Sequence, residues 1–194
     1  MRMPSRLIDR TDCCLVIIDV QQYFLDKLPP AWRRPLVARI AWLMRVATAL
    51  DIPIVATAED IGSNGPLLDE LEKDLPHGKH VHDKLVFGLA GQPAILDNVK
   101  HTGRKTCVLA GLKTDVCIAH STLGLLDEGF RVAVIEDATA SPPPHHEAGL
   151  RRIEAAGGIV TTMKGIHYEW VRDLATLSAL RQKTGTALPD GLDL

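Results

Sequence analysis

Two residues stand where a chain of this kind can do covalent chemistry. Asp19 closes an unbroken apolar run, Cys13-Cys14-Leu15-Val16-Ile17-Ile18, and Cys117 follows a second apolar run, Thr106 to Ala110, through Gly111-Leu112-Lys113-Thr114-Asp115-Val116. A carboxylate at the end of a buried strand needs a partner, because unpaired charges are seldom buried. By residue type alone Asp19 reads equally as a capping or loop-bracing group. Ahead of Cys117, Thr114 or Asp115 supplies a good helix N-cap, which predicts Cys117 in the first helical turn. Unpaired N–H groups and the helix dipole favour an anion there. Such a position lowers a thiol pKa from ~8.5 toward ~7 or below. The thiolate attacks carbonyl carbon, and the same N–H groups can hold the oxyanion that results. Taken alone, these features leave Cys117 balanced between nucleophile and structural thiol. Cys13, Cys14 and Cys107 fall mid-strand and read as small core hydrophobes. Lys84, in Val81-His82-Asp83-Lys84-Leu85, reads on its own as a surface lysine.

The elements that must position these residues follow from the hydrophobic pattern. Buried-strand runs are predicted at Cys13 to Ile18, Ile52 to Ala56, Lys79 to Val81, Thr106 to Ala110, Arg131 to Ile135 and Ile159 to Met163. Helices are predicted at Arg33 to Leu50, Leu67 to Leu75, Pro93 to His101, Asp115 to Glu128, from the Pro142-Pro143-Pro144 run to Ala156, and His167 to Leu180. Strands alternating with helices give a parallel sheet covered on both faces, a three-layer α/β/α domain. Open sheets of this kind bind ligands beyond the carboxyl ends of their strands, where the strand order reverses. With the order 3-2-1-4-5-6, the strands before Asp19 and Cys117 are neighbours at that reversal, and both residues face one crevice. With 194 residues the chain suits one domain. The expected layout is a tail over 1–10, the domain over 11–182 and a second tail over 183–194.

Three segments line up with a known family. Ile18-Asp19-Val20-Gln21, then Lys84, then Gly111-Leu112-Lys113-Thr114-Asp115-Val116-Cys117-Ile118 resemble the isochorismatase-like cysteine hydrolase superfamily. Ser63-Asn64-Gly65-Pro66-Leu67 and Glu128-Gly129-Phe130 resemble its YcaC-like branch. The G-x-x-T-[DE]-x-C block is the specific signal, and the resemblance runs from Thr11 to Leu180. It implies a six-stranded parallel sheet and a Cys–Asp–Lys triad. Asp19 would take the proton of Cys117, and Lys84 would pair with both. It also implies a cis peptide at Leu112–Lys113, with the N–H groups of Lys113 and Cys117 forming the oxyanion hole. A cysteine nucleophile points to an amide or ureido carbonyl rather than the vinyl ether of true isochorismatases. Leu112, Phe24, Phe87 and His120 are candidate pocket residues; for both phenylalanines core packing is the competing reading, and for His120 helix packing.

The chain departs from the family twice. Zinc-binding relatives carry a D-x-H element after the second strand, where this chain reads Thr57-Ala58-Glu59-Asp60-Ile61-Gly62. No metal and no cofactor are therefore expected. Lys113 stands where a small or apolar residue is expected, and would favour a carboxylate-bearing substrate if it faced the pocket. A dinucleotide oxidoreductase needs a glycine-rich turn after the first strand, and Asp19 to Phe24 contains no glycine. A net charge of -2 argues against nucleic acid. The first apolar run is too short for a membrane span or a signal peptide. The expected protein is thus cytoplasmic, and the resemblance implies a homo-oligomer active on a small molecule. A catalytically idle or redox-sensing member of the same fold is the alternative.

Overall fold

The computed structural model describes residues 6–78 and 80–194 of the chain. Six parallel strands form one sheet: β1 (Cys13–Ile18), β2 (Ile54–Glu59), β3 (Val81–Lys84), β4 (Thr106–Leu112), β5 (Arg131–Ala140) and β6 (Ile159–Thr161). Their order across the sheet is β3-β2-β1-β4-β5-β6, the order the site argument requires. The helices are α1 (Gln22–Leu25), α2 (Pro30–Ala49), α3 (Ile61–Asn64), α4 (Asp69–Glu72), α5 (Pro93–His101), α6 (Ala119–Asp127), α7 (His145–Ala155), α8 (Met163–Val171) and α9 (Leu174–Thr184). Among the described residues no helix is long and apolar enough to cross a membrane.

The period of two along a strand explains the three layers. Cys13, Leu15 and Ile17 of β1 face a core built with Ile40, Leu43 and Met44 of α2 and Met163, Ile166 and Trp170 of α8. Cys14, Val16 and Ile18 face the opposite core, with Ile95 and Val99 of α5, Leu125 of α6 and Ile153 of α7. Every residue of β1 and β4 is buried. A strand covered on both faces has no polar side, which is why these two read as continuous apolar runs. They lie side by side, with Ile18 opposite Gly111. Gly111 has φ +128, and a Cβ there would stand 2.0 Å from the Ile18 carbonyl oxygen. Only glycine lets the two strand ends approach so closely.

The structure moves several predicted boundaries. The third strand starts at Val81 and runs on to Lys84; Lys79 lies outside the described residues. Helix α2 starts earlier than Arg33, at Pro30, a residue suited to a first turn. The single last helix is two, because Arg172 turns to φ +67 and Asp173 caps α9 through the Thr176 N–H. Neither tail is loose where it is described. Ile8 is buried, its N–H donates to the Glu169 carboxylate, and Arg10 donates to the Trp170 carbonyl. Leu192 and Leu194 pack against the α2–α8 core. Buried apolar anchors account for both.

Candidate active site

Four neighbouring strands, β3, β2, β1 and β4, bring one chemical group each to the carboxyl end of the sheet. Asp19 leaves β1 at φ +52, and its N–H donates to the Thr57 carbonyl of β2 at 3.0 Å. Its side chain is fully buried. Thr57 Oγ1 donates to Oδ1 at 2.7 Å, and Lys84 Nζ lies 2.9 Å from Oδ2. Burial raises the Asp19 pKa, and the attraction of Lys84 and the Thr57 hydrogen bond only partly offset it. Lys84 is not the surface residue its type suggests. It is fully buried, and its stem carries the ammonium from β3 past the end of β2. The ammonium also stands 3.4 Å from Glu59 Oε2 and donates to the carbonyls of Val86 at 2.6 Å and Phe87 at 3.3 Å. Burial alone would lower its pKa, but Asp19, Cys117 and Glu59 together outweigh that and raise it.

Glu59 is the site residue that sequence reasoning missed. It ends β2, opposite Lys84 in register. Gln21 clamps its backbone from both sides: the Gln21 amide accepts from the Glu59 N–H at 2.7 Å and donates to the Glu59 carbonyl at 2.9 Å and to the Gly65 carbonyl at 2.6 Å. The glutamine of the D-x-Q motif thus holds the next strand's end in place. The Cys117 thiol donates to Glu59 Oε2 at 3.1 Å. The Asp19 carboxylate, the Glu59 carboxylate and Cys117 Sγ offer atoms all within 4.8 Å of one another. The cation between the two carboxylates is the Lys84 ammonium. The only signal for Glu59 in the sequence was its place in the segment that lacks a metal-binding histidine.

The turn that delivers Cys117 differs from the predicted α-helical start. Residues Thr114–Ile118 form a π-helical turn, with α6 beginning only at Ala119. The Lys113 carbonyl accepts from the N–H groups of Val116 and Ile118, both at 3.1 Å. The turn is braced from β5 and α7. Thr114 Oγ1 is hydrogen-bonded to Thr139 Oγ1 at 3.1 Å and His146 Nδ1 at 2.8 Å, and Ser141 Oγ donates to the Asp115 carboxylate at 2.5 Å. The Leu112–Lys113 peptide is cis, at the bond the family resemblance implied. The thiol is buried, and it is pushed up, not down: burial contributes most, then the charge of Asp19, with Glu59 adding to both and Lys84 opposing them. Desolvation and two carboxylates therefore override the expected effect of a helix start.

The four candidate pocket residues separate into two pairs. Phe24 is buried in the α2 core, with the Lys113 ammonium 5.5 Å from its ring centroid. The Leu112 side chain lies in the same core. Phe87 is exposed, and its ring meets that of the exposed His120 edge-on at 6.2 Å between centroids.

A family model described as the Isochorismatase domain matches residues 13–165. The probable hydrolase YcaC of Escherichia coli (strain K12) is 29% identical over 191 residues, covering 93% of this chain and 89% of that protein. YcaC from Pseudomonas aeruginosa, solved with hexane-2,5-diol and covalent acrylamide, superposes with a TM-score of 0.81 at 26% identity, over 95% of this chain and 94% of that one. The E. coli YcaC structure, described as an octameric hydrolase of unknown specificity, gives a TM-score of 0.81 at 25% identity, over 95% and 93%.

Proposed function

The chain belongs to the isochorismatase family, and from that premise we propose that it is a cysteine hydrolase that cleaves a C–N bond of a small amide or ureido substrate. The observation that carries this reading is the buried cluster of Cys117, Asp19 and Lys84 at the reversal of strand order. Asp19 takes the thiol proton as Sγ attacks the carbonyl carbon. Its raised pKa suits it to accept that proton. The oxyanion forms against the N–H groups of Lys113 and Cys117. The tetrahedral adduct collapses, the C–N bond breaks, and Asp19 returns its proton to the leaving nitrogen. Water then attacks the thioester while Asp19 takes one of its protons. Collapse of the second adduct releases the acid and leaves the sulfur to recover that proton. Lys84 keeps the pocket's charge in balance while thiolate and carboxylate exchange the proton.

In this reading the Phe87–His120 pair lines the rim, and Phe24 with Leu112 supports the pocket from beneath. Two features of relatives agree with this reading: the P. aeruginosa protein holds acrylamide covalently, and the E. coli protein is a hydrolase. The free cysteines fit a reducing, cytoplasmic setting. Replacing Cys117 with Ala is expected to abolish hydrolysis across an amide and ureide panel with the fold intact by circular dichroism. Turnover at the wild-type rate would remove Cys117 as the nucleophile.

A further inference from the structure

The substrate class can be narrowed by asking which atoms of the site are already occupied. Asp19 accepts Thr57 Oγ1 on one oxygen and faces Lys84 Nζ on the other, and it is closed to solvent. Lys84 is committed to Asp19, Glu59 and the carbonyls of Val86 and Phe87. Glu59 differs from both. Its side chain keeps 16% of its surface exposed, and both of its polar contacts, with Cys117 and Lys84, fall on Oε2. Among the described residues no donor reaches Oε1. The group beside the nucleophile that still has an open lone pair is therefore a carboxylate oxygen, which accepts hydrogen bonds and cannot donate them.

Charge points the same way. Two carboxylates face one ammonium around the thiol, so with both carboxylates ionised the cluster carries one net negative charge, and transfer of the Cys117 proton to Asp19 leaves that balance unchanged. Among the described residues the only ion pair of Glu59 is with Lys84, so the Lys113 ammonium does not neutralise it. A carboxylate on the substrate would enter against like charge with no free donor among these groups, whereas an N–H group would find its acceptor waiting. Of the two substrate classes that Lys113 left open, these contacts favour the one without a carboxylate.

We infer that Glu59 is the specificity-determining residue of the site, its open oxygen accepting a hydrogen bond from an N–H group next to the scissile carbonyl, so that the substrates are primary amides, ureides or their cationic analogues and not carboxylates. This rests on the proposed role of Cys117. The Gln21 clamp fixes the Glu59 backbone, so its carboxylate meets an incoming N–H in a set geometry.

The test uses two electrophiles of the same shape, iodoacetamide and iodoacetate, which differ in an amide against a carboxylate. In both, the thiolate displaces iodide, forming a C–S bond as the C–I bond breaks. Rates of Cys117 modification are read by peptide mass spectrometry on the full chain and divided by those of free cysteine under the same conditions. The normalised ratio is expected to favour iodoacetamide by about tenfold or more, the size expected of one like charge a few ångström away near a protein surface. Glu59→Gln should bring that ratio close to one, whatever it does to the absolute rates. A wild-type ratio near one would overturn the inference without need of the variant, and so would a preference that survives Glu59→Gln. Either result leaves the nucleophile in place. Failure of both reagents to modify native Cys117 while free cysteine reacts would instead remove the proposed function and this inference with it.

Discussion

At the scale of single residues, the site is a problem in where protons and charges reside. Cys117 holds its proton more tightly folded than unfolded. Above the ordinary thiol pKa of ~8.5 the unfolded chain loses that proton while the folded one keeps it, so the folded state binds more protons and stability falls as pH rises. Cys117→Ala removes this contribution. The difference in thermal midpoint between wild type and variant is expected to shift in the variant's favour from about pH 8 upward; a constant difference would show that the thiol is not perturbed. Lys84→Ala leaves the Asp19 and Glu59 carboxylates without their cation, and is expected to cost about 3–5 kcal/mol of stability by chemical denaturation. A loss under ~1 kcal/mol, typical of surface pairs, would mean that the ammonium is not buried between them. Asp19 and Cys117 were visible in the sequence because each follows an apolar run. The buried state of Lys84 was not, because it depends on a stem reaching past a strand that is distant in sequence. Glu59 was invisible for the same reason: nothing local in Thr57-Ala58-Glu59-Asp60 says that a thiol more than fifty residues away will donate to it.

At the scale of elements, legibility follows how local the cause is. Strands β1 and β4 were legible because burial on both faces writes an unbroken apolar run. The π-helical turn was not. Thr114 and Asp115 carry ordinary N-cap chemistry, and what they bond to is Thr139 of β5, Ser141 just after it and His146 of α7. A tertiary brace thus replaced a local cap. The Gln21 clamp is the same kind of device, a side chain standing in for the hydrogen-bonding edge of a strand. Gln21→Ala is expected to cost about 1–3 kcal/mol, because it strands the Glu59 N–H and leaves the Glu59 carbonyl to Asn64 alone, and to relax the amide-over-carboxylate preference of Cys117. Full retention of that preference would mean that the clamp does not position Glu59.

At the scale of the whole molecule, the exposed apolar surface needs an account. Leu85 is 70% exposed and Phe87 57%, two residues apart in the segment whose Val86 and Phe87 carbonyls accept from Lys84. Exposed apolar residues gathered in one segment mark contact surfaces, and the E. coli relative is octameric. The proposed homo-oligomer predicts a light-scattering mass several times that of the 21.2 kDa chain; a monomer at micromolar concentration would refute it. The anchored tails belong to this scale too. Where Ile8, Leu192 and Leu194 dock was not legible in the sequence, since a single apolar residue without periodicity carries no signal of its partner.

The placement of one reactive group per strand has a consequence for how such a protein can change. Lys84, Glu59 and Asp19 end, or directly follow, their own strands, and Cys117 rides on the turn after the fourth. Each occupies its own socket along a shared rail, and the ladders that hold the rail together lie below the sockets. The sockets differ in how freely they can be refitted, because Cys117 packs in the core with α5 and α6 while Glu59 keeps part of its surface exposed. A lineage, or a designer, can therefore search new reactions first at Glu59 on an unaltered chassis, with Gly111 and Gln21 as the fasteners that should stay fixed.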